Sequence, residues 1–188
     1  MLSGSSFVFN HVLRTYLFGE LLGRARKLNF DSELFYLGAV LHDLGQTERF
    51  MGNQRFEVDG ADAAAAFLKD KEVPAELIEV VWDAIALHTS IGIVERKRPE
   101  IALVSAGAGA DVVGFGVAEL PSEAVAQVIA AFPRPGFKTA YQKVMAEIVA
   151  RKPATAMGNF LEAVGERHVP GYKAPNFCDL MDAAPFTD

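Results

Sequence analysis

Ser32-Glu33-Leu34-Phe35-Tyr36-Leu37-Gly38-Ala39-Val40-Leu41-His42-Asp43-Leu44-Gly45 is the stretch whose reading decides the fold. Asp31 or Ser32 can cap a helix here, and Glu33 suits its first turn. The apolar residues that follow go almost all round the helix, which makes it central and buried. Gly45 is a suitable stop. The run ends on an imidazole and a carboxylate, His42 and Asp43, which are costly to bury unless something satisfies them. A divalent metal ion satisfies both at once.

Outward from this segment, the pattern predicts helices with short connections. Val8, Val12, Leu13, Tyr16, Leu17, Leu21 and Leu28 suit an amphipathic helix over 7–28. Alanine-rich residues predict a helix over 59–70, and another runs from Pro74 through Ile78, Val81, Trp82 and Ile85 to His88. Further helices are expected over 99–113, 121–131, 136–151 and 154–165, with Pro133 and Pro135 breaking the chain between two of them. No β-alternation persists over a strand's length. The expectation is one all-α domain over 1–188, a bundle of seven to eight helices, with 169–188 as a mostly extended tail.

The 188 residues suit a single core, and 51% hydrophobic with 22% charged residues describes an ordinary globular chain. A net charge of -6 argues against nucleic acid or an anionic membrane as partner. The short basic run Arg96-Lys97-Arg98 reads as a solvated turn. No stretch is long and apolar enough to span a bilayer, and the first residues lack the pattern of a signal peptide. The single cysteine, Cys178, has no internal partner and no neighbouring His, so it reads as a structural thiol in a reduced, cytoplasmic setting. The apolar composition and proline-rich tail are compatible with a homodimer.

His11, His88, Asp111 and Glu57 are the residues that could complete a metal site with His42-Asp43. Each falls on a different segment, as a site inside a helical bundle requires. Gly107, Gly109 and Ala110 would let the helix of Asp111 approach its neighbours closely, with or without a ligand. These glycines match neither a phosphate loop nor the dinucleotide fingerprint. Taken singly, each histidine also fits a plain packing role in the core.

The order His11, His42-Asp43, Asp111 resembles that of the HD superfamily of metal-dependent hydrolases, an all-α fold. Phe9-Asn10-His11-Val12-Leu13-Arg14-Thr15-Tyr16 and Leu41-His42-Asp43-Leu44-Gly45-Gln46-Thr47-Glu48 resemble segments of its cyanamide hydratase branch. So do Arg55-Phe56-Glu57-Val58-Asp59-Gly60-Ala61 and Ala84-Ile85-Ala86-Leu87-His88-Thr89. The likeness runs from about residue 7 to 118. It implies His11, His42, Asp43 and Asp111 as ligands of one divalent ion, Zn²⁺ as first choice, with Fe²⁺ and Mn²⁺ compatible. Many phosphohydrolases of the superfamily carry a Lys where this chain has Gln46, a departure that disfavours a phosphorylated substrate.

The resemblance implies a hydratase that uses metal-activated water on a small nitrile-like molecule such as cyanamide. His88 is a candidate proton shuttle, with a ligand role or a supporting hydrogen bond as alternatives. Glu57 could hold a substrate amine or orient His11, or lie exposed on a loop and do neither. Gln46 and Thr47 are candidates to line the pocket mouth. Arg14 could contact substrate, pair with Asp43 or another carboxylate, or form a surface ion pair. Phe56 and Trp82 are core or pocket wall. Competing readings are a phosphohydrolase acting on nucleotides and a non-catalytic, metal-stapled binding domain.

Overall fold

The computed structural model describes residues 5–186 and is all-helical there, with nine α-helices and no strand among the described residues. These are α1 (Ser5–Ala25), α2 (Ser32–Leu41), α3 (Phe56–Asp70), α4 (Ala75–Ala86) and α5 (Pro99–Val113). They continue with α6 (Ser122–Ala131), α7 (Phe137–Arg151), α8 (Leu161–His168) and α9 (Phe177–Asp182). The chain forms two compact units, one up to Tyr141 and the other from Gln142 onward.

In the first unit, α2 packs against α1, α4 and α5, as its apolar circumference predicts. Asp31 caps it, its carboxylate accepting from the Glu33 and Leu34 amides at 3.0 Å each. The core around it includes Phe35, Ala39, Ala61, Ala64, Val81, Ile85, Leu103 and Val104. Fully burying a side chain such as Phe35 or Ile85 stabilises by about 1.5–3 kcal/mol. A second apolar cluster joins Phe18 and Leu22 of α1 to Ala110, Leu120 and Val128. No helix of the described residues is long and apolar enough to cross a membrane.

Two glycines set the close approaches on which the site depends. A Cβ on Gly107 of α5 would lie 2.0 Å from the carbonyl oxygen of Thr15, so α1 and α5 touch backbone to backbone. A Cβ on Gly45 would lie 1.9 Å from the carbonyl oxygen of Phe56. Gly45 therefore serves less to stop α2, which ends at Leu41, than to seat the 3₁₀ turn Leu44–Gln46 against α3. Gly109, by contrast, faces only the Phe115 side chain, at 3.5 Å, and permits no close approach of helices.

The elements depart from the sequence pattern at their ends. Helix α1 stops at Ala25, before the left-handed Lys27 (φ 54°), rather than at 28. Helix α3 starts at Phe56, which draws Glu57 into its first turn. In the second unit, a 3₁₀ turn at Pro153–Ala156 and the left-handed Gly158 delay α8 to Leu161, so the helix predicted over 154–165 lies later. Residues 169–176 contain no helix, but Asn176 caps the short α9 through the Cys178 amide. Cys178 is exposed and unpaired.

Candidate metal centre

His11 projects from α1, and His42 and Asp43 follow the end of α2; all three are at most 1% exposed. His11 Nε2 lies 3.3 Å and His42 Nε2 3.4 Å from the same carboxylate oxygen, Asp43 Oδ2. The backbone oxygen of Ala39 sits 2.7 Å from His42 Nδ1. A carbonyl can only accept, so Nδ1 carries the proton and Nε2 of the neutral ring is a bare lone pair. Asp111 Oδ2 lies 2.7 Å from His11 Nδ1 and directs that ring in the same way.

The consequence is three buried acceptors facing one another. His11 Nε2, His42 Nε2 and Asp43 Oδ2 have no hydrogen-bond partner. Protonating His42 does not resolve the conflict: burial, then the neighbouring His11, lower its pKa from 6.5 to about 3. Burial likewise raises the Asp43 carboxyl, against the pull of His11 and His88. A cation between the three atoms removes the cost. They lie within 4.8 Å of one another, and a tetrahedral Zn²⁺ with bonds of ~2.1 Å has ligand–ligand edges of roughly 3.4 Å. The residues present fit a divalent ion.

Asp111 does not join this cluster. Its Oδ2 meets His11 Nδ1 and accepts from Arg14 Nη2 at 2.8 Å, while Oδ1 accepts from Arg14 Nε at 2.7 Å and from Arg134. These contacts hold its pKa at about 2 despite burial, chiefly through the hydrogen bonds with His11 and Arg14. The sequence pattern puts Asp111 among the ligands; in the structure its carboxylate lies against His11 Nδ1, on the side of that ring away from Asp43. The small residues of α5 do bring the carboxylate to α1: Gly107 by backbone contact and Ala110 by packing with Phe18 and Leu22.

Arg14, read from sequence as a substrate contact or an ion-pair partner, backs the Asp111 carboxylate. It is fully buried, and its remaining donors reach the carbonyls of Phe132 and Pro133 at 3.0 and 3.2 Å. Its partner is Asp111 rather than Asp43, and its role is to brace that carboxylate. Arg134, from the loop before α7, braces the same group and stacks on the Phe137 ring at 4.3 Å.

His88 lies two residues past the end of α4. Its Nδ1 is 2.6 Å from the Ile85 carbonyl, so its Nε2 is bare too and lies 3.9 Å from Asp43 Oδ1. It thus approaches the carboxylate oxygen opposite to the one shared by His11 and His42. Burial, then His42, lower its pKa from 6.5 to about 4. Gln46 Nε2 donates to the same Asp43 Oδ1, while its own Oε1 is buried without a partner.

Glu57 is fully buried, not an exposed loop residue, and it does not touch His11. Its Oε1 accepts from Arg55 at 2.8 Å and from the Thr89 hydroxyl at 2.5 Å. Burial raises its pKa, but the Arg55 hydrogen bond and His88 together outweigh that and keep it charged. Thr47 turns its hydroxyl back onto the Leu44 carbonyl, 2.6 Å away, which closes the turn. Phe56 is buried with its ring edge-on to His88 at 5.7 Å, whereas Trp82 bonds Asp62.

Two residues at the site were not foreseen from sequence, Arg134 and Tyr141. Tyr141 sits edge-on to His11 at 5.5 Å and stacks on Phe137 at 5.4 Å. Their four-residue spacing, which places both on one face of α7, was the available signal. For Arg134 it was the flanking pair Pro133 and Pro135, which stiffen the loop.

A comparison with curated proteins finds no match for the chain. The profile of the HD domain family, whose members are generally metal-dependent hydrolases, does match, over residues 8–152. That span contains the helical frame and the buried trio His11, His42 and Asp43, so the chain belongs to the HD domain family.

Proposed function

We propose that the protein is a mononuclear metal-dependent hydratase that adds water to a small, neutral, nitrile-like substrate such as cyanamide. The observation that carries the metal reading is the convergence of three bare, buried acceptors on one point. A divalent ion bound there would supply an activated water at neutral pH. The preference for a neutral substrate is supported by the surrounding charges. Arg14 is spent on Asp111 and backbone carbonyls, Arg55 on Glu57, and Gln46 stands beside Asp43.

The chain's own residues divide the remaining work. Asp111 and the Ala39 carbonyl hold the His11 and His42 rings in the tautomer that leaves Nε2 free. Gln46 fixes the Asp43 carboxylate by its Oδ1 and leaves Oδ2 free. His88 Nε2, 3.9 Å from Asp43 Oδ1, is the base beside the trio that accepts the proton of the attacking water and returns it to the nitrile nitrogen. Glu57, anchored by Arg55 and Thr89, raises the proton affinity of His88.

Incubating the metal-loaded protein with cyanamide, and separately with a panel of nucleoside monophosphates, tests the reading. Urea is the expected product. Phosphate release without urea would instead make it a nucleotide phosphohydrolase.

A further inference from the structure

The pair Gln46 and Tyr141 forms a wall of the same site that the metal does not need. The Gln46 side chain is 3% exposed, and its orientation is not arbitrary. Nε2 must face Asp43, because the flipped amide would set its oxygen against a carboxylate. Oε1 is thereby left as a buried acceptor with no donor. The Tyr141 hydroxyl lies within hydrogen-bonding reach of the Gln46 side chain. The Tyr141 ring is clamped between His11 and Phe137.

We infer that Gln46 Oε1 and the Tyr141 hydroxyl form a neutral acceptor–donor pair that recognises an N–H group beside the substrate's electrophilic carbon. The substrate class is then a small uncharged molecule bearing an N–H, such as an N-unsubstituted cyanamide, amide or urea. An unpaired buried acceptor costs about 1–3 kcal/mol, and a substrate N–H relieves it. A molecule of the same shape without N–H leaves the acceptor unpaired, and this asymmetry makes for strong rejection. Tyr141 stands beside the Gln46 amide and offers its own O–H to the acceptor on the electrophilic carbon, a nitrile nitrogen or a carbonyl oxygen.

The inference rests on the metal reading, and the two fail separately. The test titrates the zinc-loaded protein with cyanamide and with N,N-dimethylcyanamide, reading dissociation constants by NMR, alongside the zinc content. The wild-type chain is expected to bind cyanamide about tenfold or more tightly than the dimethyl compound, the worth of about one buried hydrogen bond. Formamide against N,N-dimethylformamide repeats the comparison on another carbon skeleton. Gln46→Leu is expected to retain one zinc and to lose most of this discrimination, and Tyr141→Phe to retain one zinc and to bind both compounds more weakly. Gln46→Leu also frees Asp43 Oδ1, so Tyr141→Phe, which removes only the hydroxyl, is the cleaner variant. Zinc-loaded wild type that binds neither compound, or binds both alike, overturns the inference. Wild type that takes up no stoichiometric zinc overturns the metal reading instead.

Discussion

Two glycines two positions apart on α5 should respond to the same substitution with opposite signs. At Gly107 a methyl group would lie 2.0 Å from the Thr15 oxygen, 2.9 Å from its carbonyl carbon and 3.1 Å from the Gly19 nitrogen. Every one of these atoms is backbone, so no rotamer change can relieve the clash and α1 must shift. Overpacking of this kind costs about 1–3 kcal/mol, and with only backbone to yield the upper end applies. Alanine recovers about 0.8–1.0 kcal/mol of helix propensity over glycine. The net loss for Gly107→Ala is therefore about 2 kcal/mol, or roughly 4–8 °C in Tm for a chain of this length. At Gly109 the methyl meets only the Phe115 side chain at 3.5 Å or more, an ordinary contact. Gly109→Ala should gain about 1 kcal/mol, roughly 2–4 °C. Urea and thermal unfolding followed by circular dichroism give both numbers. A Gly107→Ala protein within about 0.5 kcal/mol of wild type would refute the close helix contact that brings Asp111 to His11.

Other consequences concern the site. Asp111→Asn should keep one metal per chain but bind it about 10–100-fold more weakly, as expected when an outer partner of a ligating histidine is lost. Complete loss of metal in a folded variant, measured by competition with a chelator, would make Asp111 a ligand. His88→Ala should retain the metal and lose the rate; loss of the ion would place His88 among the ligands. In the metal-free protein, His42 at about 3 and His88 at about 4 bind fewer protons than in the unfolded chain, whose histidines titrate near 6.5. Stability therefore falls as pH drops from about 6.5 towards 4. Asp43, raised by burial, acts in the opposite sense, one group against two. A urea midpoint that rises on acidification over that range would contradict the burial of these rings.

The all-helical fold was legible because its signals are local. The Asp31 cap, the apolar circumference of α2, the alanine run of α3 and the prolines before α4 and at the start of α5 act over one or two turns. Residues His11, His42 and Asp43 were legible as well, since their types and order suffice to suggest an ion. What the sequence could not carry is which atom of a residue faces which. Asp111 stands in the right helix, but the same carboxylate can serve the ion or the reverse side of His11. The contact at Gly107 and the two guanidinium groups are what set the carboxylate against His11 Nδ1. Tyr141 was hidden because an aromatic at helical spacing looks like any core residue. Glu57 read as a loop group because its helix starts at Phe56, several residues before the alanine run that announces it.

The most direct test of the central claim is elemental analysis of the purified chain beside His42→Ala, with folding of both checked by circular dichroism. One divalent ion per wild-type chain, lost from a folded His42→Ala protein, is the result that the convergence of His11, His42 and Asp43 predicts. The same metal content in both proteins would contradict it.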